Sequence, residues 1–105
     1  MSKAFETHVD KEINIDGFKM TFSNGCTISV IFGKHTYSDE GQTTAEVAAW
    51  NNTSGNWMLF QEDRLPFDQW IELDNETEVM PRQTAEEVAN LIYTLSRYSP
   101  KEQEA

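Results

Sequence analysis

Basic residues are scarce in this chain of 105 residues: eight lysines and arginines stand against eighteen acids, a formal net charge of −10. Nucleic-acid affinity comes largely from Lys and Arg neutralising phosphates, so direct nucleic-acid binding is disfavoured. Cysteine is scarcer still. The single Cys26 excludes an intrachain disulfide, which suits a reducing compartment. The two histidines, His8 and His35, stand near no cysteine or carboxylate at metal-ligand spacing. A structural zinc site needs four ligands, so no metal or other cofactor is expected. The five glycines are spread singly, which excludes a glycine-rich phosphate cradle. Long apolar runs are missing too, and with them a signal-peptide core or a membrane span. The expectation is a cytoplasmic protein with no membrane association.

What is present is enough for one core. A compact fold of this length buries roughly 65% of the surface its unfolded chain exposes. Apolar residues make up 38% and aromatics 11%, a globular composition. A single domain over 1–105 is expected, with a mobile arm at 1–10 and a disordered tail at 100–105.

Alternation from Phe18 to Phe32 predicts a hairpin and its register. A two-residue Asn24-Gly25 turn would set Phe22 against Thr27 and Met20 against Ser29, apolar against polar. A three-residue loop, Ser23 to Gly25, instead pairs Phe22 with Cys26, Met20 with Ile28 and Phe18 with Val30. Only the second register gives both strands one apolar face, because a one-residue slip inverts every side chain. It requires Gly25 in the left-handed region, the G1-bulge geometry. Upstream, a two-residue turn at Asp16-Gly17 would pair Ile15 with Phe18; a bulge in one long strand is the alternative.

Residues 33–44 read as a polar loop. A second hairpin follows, with a four-residue loop from Asn52 to Gly55. It pairs Trp50 with Trp57 and Ala48 with Leu59 on one face, and Ala49 with Met58 and Val47 with Phe60 on the other. Both faces are apolar, so the hairpin is either covered twice or leaves one face for a partner. An edge strand is expected near 69–73, and a brief strand at Glu78-Val79-Met80 ended by Pro81. Thr84-Ala85-Glu86-Glu87 is a capping box. Val88, Leu91, Ile92, Leu95 and Tyr98 then recur at helical spacing until Ser99-Pro100. The class is α+β: an antiparallel meander of about four or five strands with one C-terminal helix on a face.

No catalytic constellation emerges, and no enzyme activity is expected. Cys26 falls on the apolar side of its hairpin, away from His35. The informative features are charge and aromatics. Residues 62–87 carry nine acids against Arg64 and Arg82, a net of −7. Within them Asp74, Glu76 and Glu78 alternate, so an extended segment points all three the same way. Trp50, Trp57 and Trp70 exceed what a small core easily absorbs, and Trp is enriched at interface hot spots. These six residues are the partner-binding candidates; the bland readings are a solvated acidic edge and tryptophans that lid the core. Lys34, His35 and Tyr37 form the only compact polar-cationic cluster, the candidate small-ligand site.

The turn Phe22-Ser23-Asn24-Gly25, the run from Thr27 to Gly33, Ala45 to Trp50, Gly55 to Trp57 and the helix start Ala85 to Ala89 together resemble small uncharacterised accessory proteins of tailed bacteriophages. The likeness spans about residues 18–95. It implies an accessory protein made in a host bacterial cytoplasm, and it carries no activity or site residues with it. Charge, tryptophans and the missing catalytic groups point to a protein that binds a host or phage protein. An inhibitor, or a nucleic-acid mimic on a basic, DNA-binding enzyme, is one version of that role. The alternative is a binder of a small ligand or signalling nucleotide. A sheet with open edges and a two-sided apolar hairpin also suggests a homodimer.

Overall fold

The computed structural model describes residues 4–7, 16–33, 38, 42–61 and 69–99. Within them the chain forms strands β1 (Phe5–Thr7), β2 (Gly17–Thr21), β3 (Cys26–Ile31), β4 (Thr44–Asn51), β5 (Trp57–Gln61), β6 (Gln69–Glu72) and β7 (Met80–Thr84). Helix α1 (Ala85–Ser96) follows directly. The first six strands are hydrogen-bonded in chain order, all antiparallel, and β7 returns to pair with β4. The α+β meander with its helix on one face is what the pattern predicts, with seven strands among the described residues rather than four or five.

The first hairpin has the expected register. Phe18 faces Val30 and Met20 faces Ile28. The Phe22 N–H donates to the Cys26 carbonyl at 2.9 Å, the Gly25 N–H donates to the Phe22 carbonyl at 3.0 Å, and Gly25 has φ +88°. Its apolar face meets α1: Cys26, Ile28, Val30, Val47, Ala49, Met58, Leu91 and Leu95 form one buried cluster. At the helix start the Thr84 hydroxyl accepts from the Glu87 N–H, and the Glu87 carboxylate accepts from the Thr84 N–H.

Three expectations at strand boundaries are corrected. Asp16-Gly17 is not the expected two-residue turn, because Phe18 pairs with Thr7 on one side and Val30 on the other; Ile15 itself lies outside the described residues. Gly17 is needed for a different reason: a Cβ there would lie 2.1 Å from the Val30 carbonyl oxygen. Of the segment 1–10, expected as a mobile arm, Phe5–Thr7 form β1 and pair with β2, and residues 1–3 and 8–10 lie outside the described residues. Pro81 does not end a strand but lies inside β7. Its missing N–H is tolerated because the β4–β7 register shifts there, with Arg82 bulged out at φ +53°.

The fork at β4 positions the surface described next. This eight-residue strand is longer than the five-residue β5, and two different strands share its second edge. Ala49 and Trp50 pair with Met58 and Trp57, as expected. Toward its start Val47 faces Met80 of β7 instead of Phe60. The four-residue loop of the second hairpin closes with the Asn51 N–H donating to the Asn56 carbonyl and Gly55 at φ +79°.

Candidate binding surface

The pleat divides the apolar residues of β3 to β6 between two faces. One face carries Ile28, Val47, Ala49 and Met58 under the helix. On the other, Trp50 lies between Thr27 and Trp57, Ser29 faces Ala48, and Leu59 faces Ile71. The Trp50 and Trp57 rings stand 5.7 Å apart at 39°, inside the range in which aromatic pairs attract. Both are half-buried. Neither they nor Ile31 and Ile71 belong to the core cluster or to the side chains packed on it. Among the described residues no helix or second sheet lies over this face.

The chain after β6 runs past the tryptophan pair. The Leu73 N–H donates to the Trp57 carbonyl at 2.7 Å. Asn75, Glu76 and Thr77 then line a shallow cleft with Trp57 and Leu73. Asp74, Glu76 and Glu78 are all exposed and lie outside any strand. Asn75 holds a left-handed φ of +61°, a conformation that Asn tolerates better than most residues. The aromatic pair and the Glu76 carboxylate thus adjoin through this cleft, with Asp74 and Glu78 exposed on either side in sequence.

Trp70 does not join them. It is 3% exposed, with its indole N–H donating to the Thr94 hydroxyl at 2.8 Å and its ring 5.5 Å from Phe60. The period of two explains this: Trp70 shares the helix-facing side of β6 with Glu72, whereas Ile71 points the other way. The partner candidate Trp70 is therefore a core residue. The ligand candidates Lys34, His35 and Tyr37 lie outside the described residues.

Glu72 is the group that the charge count hides. Its Oε1 accepts from the Ser54 hydroxyl at 2.6 Å and the Asn56 amide at 3.1 Å; its Oε2 accepts from the Asn51 amide and the Tyr98 hydroxyl, both at 3.1 Å. Burial pushes its pKa up, but these four hydrogen bonds outweigh burial and hold it below the ordinary value. One carboxylate thus ties β6 to the turn between Trp50 and Trp57, and to the segment after α1. Beside it, the Asn24 amide donates to the Leu95 and Tyr98 carbonyls, capping the helix C-terminus. The Asn52 amide donates to the Gly25 carbonyl and the Thr27 hydroxyl, joining the two hairpin loops. A sequence signal for Glu72 exists: its two-residue offset from Trp70 places both on one face.

Cys26 is fully buried, 3.8 Å from the Met58 sulfur, and burial, then the Glu72 charge, pushes its thiol up to about 11. It is a small core residue with little thiolate at neutral pH. Among the described residues no three His, Cys, Asp or Glu side chains gather to hold a metal ion, and no helix is long and apolar enough to cross a membrane. Compared with protein-family models, curated proteins and solved structures, the chain matches none.

Proposed function

We propose that this protein acts by binding another protein through the sheet face opposite α1. The observation that carries the reading is the Trp50–Trp57 pair, half-buried and outside the core, with Glu76 lining a cleft beside Trp57 and the exposed Asp74 and Glu78 flanking it in sequence. Aromatic anchors supply contact area at an interface core, and a charged rim steers and orients the partner. The complementary partner offers an apolar anchor for the tryptophans and basic side chains for the acids. Two copies of so acidic a surface repel each other, which favours a basic partner over a homodimer on this face. The resemblance to phage accessory proteins supports a bacterial or phage protein as that partner, with inhibition as the outcome of occupying its surface.

The test uses three baits in parallel on bacterial lysate: the wild-type chain, Trp50→Ala/Trp57→Ala, and Asp74→Asn/Glu76→Gln/Glu78→Gln. Thermal melts confirm that each is folded. A protein retained by the wild type, lost with the tryptophan variant and eluted early by salt from the acid variant supports the reading. Recovery of no protein by the wild type at low or high salt, or equal recovery by all three baits, contradicts it.

A further inference from the structure

On the other side of the sheet, α1 does not close fully onto β3 and β4. An open cavity of about 350 Å³ lies along the flank of the helix from Ala85 to Ile92. Its apolar wall is Val30 and Phe32 from β3 and its end, Ala45 from β4, and Val88, Ala89 and Ile92 from α1. Gln42, Thr43, Thr44 and Gln83 form its polar side, where the β4 and β7 segments meet. The cavity explains an asymmetry in the helix stripe. Leu91 and Leu95 are buried, while Val88 and Ile92 of the same stripe stay half-buried. Small residues, Ala85 and Ala89, keep the mouth open on the helix surface.

We infer that this cavity is a binding site for a small uncharged amphiphile: a flat or short apolar body with one hydrogen-bonding end. Three features select that chemistry. The volume lies in the range of small-molecule pockets, and at roughly 30 Å³ per water-sized group it takes about a dozen non-hydrogen atoms. Every described residue that lines it is uncharged, in a chain of net charge −10, so an anion meets a repelling field there. Among the described residues the amides of Gln42 and Gln83 supply its polar side where β4 and β7 meet, which orients a ligand with a single polar group. The site does not depend on the tryptophan face and goes beyond the protein-binding role.

The probe is 2-naphthol, with 2-naphthoate as its anionic counterpart, titrated into the ¹⁵N-labelled full chain by NMR. The expected result is saturable shifts at the amides of residues 30–32, 44–45 and 88–92, with 2-naphthoate binding at least about tenfold more weakly. Ala89→Trp plugs the mouth from an exposed helix position and weakens 2-naphthol by a similar factor. Ala85→Trp serves if that variant does not fold. Absence of saturation up to the solubility limit overturns the site. So do shifts centred on Trp50 and Trp57, equal binding of the two probes, or undiminished binding to a folded plug variant.

Discussion

Replacing Glu72 by glutamine tests whether one carboxylate organises this end of the molecule. Both of its oxygens accept two hydrogen bonds, from Ser54 and Asn56 on one and from Asn51 and Tyr98 on the other. A glutamine amide turns its NH₂ toward one of these donor pairs, whichever way it is flipped. If it faces Asn51, a side chain 3% exposed loses its acceptor, which costs roughly 1–3 kcal/mol. Ser54 is exposed, so water replaces that bond at little cost. Because Glu72 itself is partly exposed, solvent screening keeps the whole effect near 2 kcal/mol, with Glu72→Ala similar or somewhat larger. Urea unfolding monitored by tryptophan fluorescence measures it, and in a chain of this size about 2 kcal/mol lowers Tm by roughly 8–15 °C.

The pH dependence adds a second readout. The folded-state pKa of Glu72 lies below its ordinary value of 4.5. Its contribution is therefore fully present above about pH 4.5 and is lost as pH falls through the folded-state pKa. Glu72→Gln removes that part of the acid destabilisation, so wild type and variant converge in stability toward low pH. A variant less than about 0.5 kcal/mol weaker at pH 7, or one whose acid profile parallels the wild type, refutes the assignment of Glu72 as an organising carboxylate.

Gly25→Val forces a β-branched side chain into φ +88° and is expected to destabilise by more than the roughly 1 kcal/mol of an average substitution, measured by urea unfolding. Leu91→Ala truncates a core side chain and is expected to cost about 2–5 kcal/mol in the same assay. Thr84→Ala removes one half of the capping box and is expected to cost about 1 kcal/mol, read as a matching drop in Tm. With its thiol pushed up to about 11, Cys26 is expected to stay unreacted with a chromogenic disulfide at pH 8 while the chain is folded, and to react at once in denaturant.

The elements legible in the sequence are those in which two local signals agree. In the first hairpin, alternation and Gly25 demand the same register; in α1, the capping box and the helical stripe mark the same start. Asp16-Gly17 misleads because a glycine before an apolar run is a turn signal, whereas Gly17 is small for the sake of a strand beside it. The return of β7 to β4 is a long-range pairing, and nothing near Met80 or Pro81 announces it. The two apolar faces of the second hairpin are legible, and the fold resolves them: one under the helix, the other carrying the tryptophan pair. Of the candidate residues, Trp50, Trp57 and Glu76 converge, with Asp74 and Glu78 flanking them. Trp70 is buried by the same period of two that turns Glu72 inward. Composition alone counts Glu72 as one more surface charge.

The most direct test of the binding surface is hydrogen–deuterium exchange on the protein alone and bound to a partner recovered by the wild-type bait. Binding through the tryptophan face slows exchange in residues 48–59 and 71–78 and leaves exchange along the exposed side of α1 unchanged. Protection concentrated on α1, with residues 48–59 unaffected, contradicts it.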